Sequence, residues 1–169
     1  VTETVTGIDL VEQMIDIADN KNLKAKQGDI VVKGWSFESR LCGESPIKNF
    51  LPSAGRIKEL SFPKENIRVD SGYRSGGEVS IYYDSLLAKI ISKGNTRQDA
   101  INVMQKALQE VCVDGIDTNI DFLMDIFKNK NFIKGNINTN FIEEVYRDGY
   151  KAETNNKDEL EVIAVFAFC

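Results

Sequence analysis

The chain has 169 residues and a net charge of −5, with 42% hydrophobic and 28% charged residues. That is enough ordinary globular sequence for one core, and the acidic balance gives no electrostatic footprint for nucleic acid or an anionic membrane. Histidine is absent, which excludes Ser-His-Asp, Cys-His and His-ligated zinc chemistry within the chain, and the isolated cysteines Cys42, Cys112 and Cys169 suggest neither a disulfide framework nor a CxxC metal site.

Isolated thiols fit a reducing compartment best, and no apolar run approaches the roughly 20 residues that span a bilayer. The 3–4 residue spacing of Leu10, Val11, Met14, Ile15, Ile17 and Ala18 predicts an amphipathic helix over 6–20, with Asp9 in its first turn. After a polar connection, strands are expected over 30–42, 56–62, 67–73 and 78–83. Short turns separate them, so an antiparallel sheet is the natural arrangement. A loop over 44–55 is punctuated by Pro46, Pro52 and Gly55, and Gly72, Gly76 and Gly77 supply hairpin turns rather than a phosphate-binding fingerprint.

The pattern then turns helical. A short helix over 86–92 is expected to close at Gly94, and Thr96 with Asp99 makes a near capping box before a helix over 100–113. Its buried stripe is Ile101, Met104, Ala107, Leu108 and Val111. Thr118 is expected to cap a helix over 119–128, with Ile120, Leu123, Met124 and Phe127 inward, and Asn140 with Glu143 starts a last short helix to 146. Residues 151–157 read as a polar linker before a new element, expected to be a helix. There is no initial Met and the sequence stops within an apolar run, so a piece of a longer protein is expected. The class is α+β: an N-terminal helix, a small antiparallel β-sheet, then C-terminal helices.

Two places carry chemistry. In Gly34-Trp35-Ser36-Phe37-Glu38-Ser39-Arg40-Leu41, period-2 alternation puts Trp35, Phe37 and Leu41 on one face and Ser36, Glu38 and Arg40 on the other. A guanidinium beside a carboxylate on a rigid strand suits anion recognition, and it equally describes a solvated charge pair. Trp35 reads as a core residue rather than a ligand platform. Asp84, after Tyr82-Tyr83, is either a helix N-cap or a carboxylate aimed into a pocket, and it joins Arg40 only if its strand pairs near the Arg40 strand. Arg68 and Asp70 alternate with Ile67 and Val69 on a strand face that is either solvated or an interface.

Taken together, VTETVTGIDLV (1–11), ESR (38–40), FLPSAGRI (50–57), YYDS (82–85) and DGIDTN (114–119) occur in an order and spacing that resemble the C-terminal part of the biotin carboxylase domain of biotin-dependent carboxylases. The resemblance covers about residues 1–150. Within the family, IRVDSG (67–72), SIYYD (80–84) and VYRDGY (145–150) are most similar to the α subunit of propionyl-CoA carboxylases. Acetyl-CoA, 3-methylcrotonyl-CoA, pyruvate and urea carboxylases share the broader pattern, and a non-catalytic interaction module is the reading from a different class.

The resemblance implies ATP- and bicarbonate-dependent carboxylation, with Mg2+, of biotin borne on a carrier domain. It implies that Arg40 is the catalytic cation that stabilises phosphate charge and the biotin enolate, and that Asp84 orients Arg40 and lies near biotin. It makes Glu38 a supporting neighbour of that pair and places Arg68 at a subunit contact. It assigns 1–25 to the end of an ATP-grasp lobe, 26–150 to the C-terminal subdomain and 151–169 to a linker and the start of the next region. Its implied partners are the ATP-grasp lobe, the biotin carrier domain and a carboxyltransferase β subunit, in the bacterial cytoplasm or mitochondrial matrix. No metal ligand is assigned within the chain. The sequence departs from the family's usual residues at Ser39, where Cys is common, and at Cys42-Gly43, where Asn-Ala or Tyr-Ala is common. The family's magnesium-binding glutamates and bicarbonate-binding segment are expected ahead of Val1, so the chain alone is expected to be inactive.

Overall fold

In the computed structural model, residues 1–151 are described. The chain opens with two helices rather than one, α1 (Thr2–Thr6) and α2 (Leu10–Ala18). Gly7 breaks them apart: it sits in the left-handed region at φ 74 and donates its N–H to Glu3 O, a conformation that glycine adopts without a Cβ penalty. Asp9 is then the N-cap of α2, accepting from Glu12 N at 2.9 Å. The expected apolar stripe of α2 is not buried, and Met14 and Ile15 are 68% and 63% exposed. Asp16 is the one buried residue of this helix. Lys24 and Lys21 hold its carboxyl below the usual range.

The strand expected over 30–42 forms only as β1 (Trp35–Cys42). The loop over 44–55 carries two-residue strands, β2 (Glu44–Ser45) and β3 (Leu51–Pro52), which pair with each other. The expected strand over 56–62 divides into β4 (Gly55–Arg56) and β5 (Glu59–Ser61). Then come β6 (Ile67–Ser71) and β7 (Glu78–Val79), the latter much shorter than the 78–83 expected and paired with β4.

The largest correction is at 86–92. This segment is not a helix but strand β8 (Leu86–Gly94), the centre of the three-stranded antiparallel sheet β1-β8-β6. Buried on both faces along most of its length, β8 lacks the alternation of a half-buried strand, and a short apolar run has no periodicity that distinguishes it from a helix. Gly94 therefore ends a strand. The sheet is antiparallel as expected, but its pairings span long sequence separations instead of consecutive hairpins.

Helix α3 (Arg97–Glu110) starts with a complete capping box between Thr96 and Asp99 and lays Ile101, Met104, Ala107 and Leu108 onto Leu41, Leu87 and Ile90. Strand β9 (Cys112–Asp114) pairs with β5, so the helix ends earlier than the expected 113. Helices α4 (Ile120–Lys128), α5 (Lys130–Lys134) and α6 (Phe141–Val145) complete the described chain. Phe37, Phe127 and Phe132 pack edge-on or tilted between sheet and helices. Trp35 is 49% exposed rather than core, with the Arg97 guanidinium 5.9 Å above its ring. The architecture is α+β, with small antiparallel sheets against helices. The expected linker beyond Lys151 and the tail helix lie outside the described residues.

Candidate functional site at the end of strand β1

The alternation on β1 follows its sequence. Phe37, Ser39 and Leu41 turn inward, and Glu38 and Arg40 are exposed on the opposite face. Register then decides what stands beside Arg40. Its partner across the ladder is Lys89 of β8, whose other neighbour is Asp70 of β6. Two cations thus lie directly opposite on one sheet face, an arrangement that costs stability unless an anion offsets it. Lys89 escapes sequence reasoning because its segment reads as a helix. The one charge within the apolar run from Leu86 to Ile91 is the signal that a strand assignment would have exposed.

The ladder slips between Leu41 and Cys42, which pair with Ala88 and Leu86, leaving Leu87 unmatched. Beyond the slip, Gly43 N donates to Ser85 O at 2.8 Å, and Ser53 N donates to Gly43 O at 2.8 Å. These bonds bring the segment before β8 to the end of β1. Asp84 therefore reaches the Arg40 neighbourhood through β8, not through the strand over 78–83. Its Oδ1 accepts from Leu86 N at 3.0 Å, an Asx turn into a strand and not a helix cap. Ile81, Tyr82 and Tyr83 stand exposed just before it.

Cys42 stands within the electrostatic reach of Glu44, Asp84 and Arg40. Burial pushes the Cys42 thiol up, the Glu44 and Asp84 carboxylates add to that, and Arg40 opposes it. Burial also raises the Glu44 carboxyl, against a hydrogen bond from Asn119, with Asp84 adding to the rise. Among the described residues Arg40 forms no ion pair, with Asp84, Glu38 or any other carboxylate. Arg68 is different. It donates to Glu3 Oε2 at 2.7 Å and Asp70 Oδ1 at 2.9 Å, tying α1 to β6.

Asn119, which sequence reasoning treated as the start of a helix, is 5% exposed and turned away from that helix. Its Oδ1 accepts from Cys42 N at 2.9 Å, and its Nδ2 donates to Arg40 O and Glu44 Oε1, each at 3.1 Å. It is also the N-cap of α4 in place of Thr118, but its side chain makes no capping bond. No local signal announces this, because the partners lie more than seventy residues away.

The family model of the biotin carboxylase C-terminal domain matches residues 38–144, which include the second half of β1 from Glu38, Asp84, Lys89 and Asn119. The chain belongs to this family. Similar relatives include the mitochondrial propionyl-CoA carboxylase alpha chain of Caenorhabditis elegans, 41% identical over 170 residues, covering 99% of this chain and 24% of the relative. Biotin carboxylase 1 of Bacillus subtilis is 42% identical over 144 residues, covering 85% of this chain and 32% of the relative. Among solved structures, the biotin carboxylase domain of the Hydrogenobacter thermophilus 2-oxoglutarate carboxylase, in complex with MgADP, ADP and bicarbonate, superposes with a TM-score of 0.83 at 39% identity, covering 85% of this chain and 32% of that one. The chain thus spans about a quarter to a third of the length of these relatives.

Proposed function

We propose that the chain is the C-terminal subdomain of the biotin carboxylase component of a propionyl-CoA carboxylase, and that it presents Arg40 and Asp84 to carrier-borne biotin. The observation that carries this reading is the exposed Arg40, opposite Lys89 and without an ion-pair partner among the described residues, held at the slipped end of β1 next to the Asp84 turn. A site with two adjacent cations on strand-held backbone suits negative charge that develops during reaction. When the ureido nitrogen of biotin becomes nucleophilic, that charge builds on the ureido oxygen. Arg40 is the group that meets it, and Asp84, which forms no ion pair with Arg40 in this structure, is assigned to orient the guanidinium once the ring has arrived. Glu38, two residues before Arg40 on the same face, keeps the local field from becoming wholly cationic.

ATP and Mg2+ supply the activation of bicarbonate in this scheme, and we assign their binding to parts of the parent protein outside the chain. The exposed apolar face of α2 is assigned to contact with the ATP-grasp lobe, residues 26–150 to the subdomain proper, and 151 onward to the connection with the next region. Arg68, half exposed, is assigned to a subunit contact shared with Glu3 and Asp70. The biotin carrier domain and a carboxyltransferase β subunit are the proposed partners, in the mitochondrial matrix or bacterial cytoplasm. Propionyl-CoA is proposed as acceptor because the curated relatives that cover nearly all of this chain at about 40% identity carry that name.

The test is ATP hydrolysis by the full-length parent, dependent on bicarbonate and free biotin, for wild type and Arg40→Ala. A loss of about 100-fold or more in a folded variant supports the reading. Unchanged biotin-dependent turnover removes Arg40 from the site. Residues 1–169 alone are expected to show no such turnover, and comparison of acyl-CoA acceptors in the parent checks the preference for propionyl-CoA.

A further inference from the structure

We propose that Asn119 is the positioning residue for Arg40, acting as a one-residue substitute for the strand that β1 lacks on its outer edge. The inference rests on the reading of Arg40 given above. Strand β1 lies at the edge of the sheet, so every second residue turns its N–H and C=O away from β8 with no ladder partner. Cys42 is such a residue, and Arg40 O, two positions earlier, points the same way. Asn119 meets all three groups. Its backbone N donates to Cys42 O at 3.2 Å, its Oδ1 accepts from Cys42 N at 2.9 Å, and its Nδ2 donates to Arg40 O at 3.1 Å.

The remaining Nδ2 hydrogen goes to Glu44 Oε1 at 3.1 Å, so the amide spends both donors and its acceptor. Only a carboxamide of this length offers that set. Aspartate lacks the donors, and leucine of similar shape lacks both. The location gives the bonds their purpose. They bracket the point where the β8 ladder slips, so the regular pairing that holds one side of 40–42 is interrupted there. Asn119 holds the other side. A helix-starting asparagine ordinarily caps its own helix, and here the capping bond of α4 is absent because the side chain is committed to β1. Local preference has yielded to the placing of a distant backbone, as is expected around functional residues.

The experiment uses the full-length parent and measures kcat and KM for free biotin and for ATP in bicarbonate-dependent hydrolysis. The variants are Asn119→Ala, Asn119→Asp, Arg40→Lys, and Asn119→Ala combined with Arg40→Lys. Asn119→Ala is expected to lower kcat/KM for biotin about 10- to 100-fold, the scale of a misplaced catalytic group, with KM for ATP unchanged and a cooperative melt. With Arg40→Lys already present, the same change is expected to add less than about a threefold further loss, because both act through one guanidinium. Asn119→Asp keeps the acceptor for Cys42 N but turns a carboxylate oxygen toward Arg40 O and Glu44 Oε1 in place of the donor, so it is expected to be impaired at least as much as Asn119→Ala.

Wild-type kinetics for Asn119→Ala overturn the proposal, as does a full multiplicative loss in the combined variant, or an equal rise in KM for both substrates. Unfolding of the parent by both Asn119 variants also overturns it, in favour of a purely architectural role. If Arg40→Lys and Arg40→Ala leave biotin-dependent turnover intact, the reading of Arg40 fails and this inference with it. If the Arg40 variants are impaired and the Asn119 variants are not, only the positioning role fails.

Discussion

Ser39 lies in the middle of β1, 2% exposed, with a hydroxyl that finds no hydrogen-bond partner among the described residues. A buried orphan hydroxyl is costly, and a thiol of nearly the same shape tolerates an apolar setting better. Ser39→Cys is therefore expected to raise stability by about 1 kcal/mol, read as a higher urea midpoint at unchanged slope. An unchanged midpoint would mean that the hydroxyl has a partner. Glu44 makes a second prediction. Burial raises its carboxyl above its ordinary value of 4.5 in the folded chain. The native state then holds the proton more tightly than the unfolded chain, so Glu44 costs stability once the pH exceeds both values and costs nothing below 4.5. Glu44→Gln keeps an acceptor for Asn119 and removes the charge. Its Tm should exceed wild type at pH 7, and the gap should close as the pH falls below 4.5. A gap that is constant with pH would show that ionisation is not its origin. At this scale the sequence was legible where alternation governs: Arg40 and Glu38 are outward, and Leu41 and Phe37 inward, as read. Glu44 and Asn119 were not legible, because their roles depend on partners distant in the chain.

At the scale of elements, α3 and β8 show why one was foreseen and the other missed. Helix α3 has a 3.6-residue stripe and its own capping box, both local, and it forms as expected apart from its ends. Strand β8 is buried on both faces, which removes the period-2 signal, and its β1 partners are more than forty residues away. Gly94 joins the two elements. A Cβ there would stand 2.3 Å from Ala100 N and 2.7 Å from Asp99 Cβ, inside the first turn of α3. Backbone cannot give way as a flexible side chain can. Gly94→Ala is expected to cost about 1–3 kcal/mol by forcing the helix off the strand end, measurable by chemical denaturation. A neutral result would mean that the strand end and helix shift apart without loss of packing. Asn119 belongs to this scale as well, since it lets α4 stand in for a missing strand.

For the whole molecule, the exposed face of α2 is the feature that a self-contained domain would not show. Leu10, Val11, Met14, Ile15 and Ile17 are all exposed, a contiguous apolar surface of the kind that marks an interface. If α2 docks on the ATP-grasp lobe, Met14→Lys with Ile15→Lys should change the stability of residues 1–169 by no more than about 0.5 kcal/mol while reducing their self-association in sedimentation. The same pair of changes in the full-length parent should lower both its melting temperature and its biotin-dependent turnover. A parent indifferent to both lysines would sink this docking. No helix among the described residues is long and apolar enough to cross a membrane.

Sequence by itself determined the family, the class, the faces of β1 and α3, and the candidates Arg40 and Asp84, because short motifs and local periodicity write these within a few residues of one another. Only the tertiary structure decided that β8 is a strand, that it sets Lys89 opposite Arg40 and leads Asp84 to the end of β1, and that Asn119 closes the open edge there. The strand pairings depend on backbone hydrogen bonds between segments tens of residues apart, which use groups that every residue carries and so leave no mark on residue identity, and the carboxamide of Asn119 finds its partners only once those segments have been brought together.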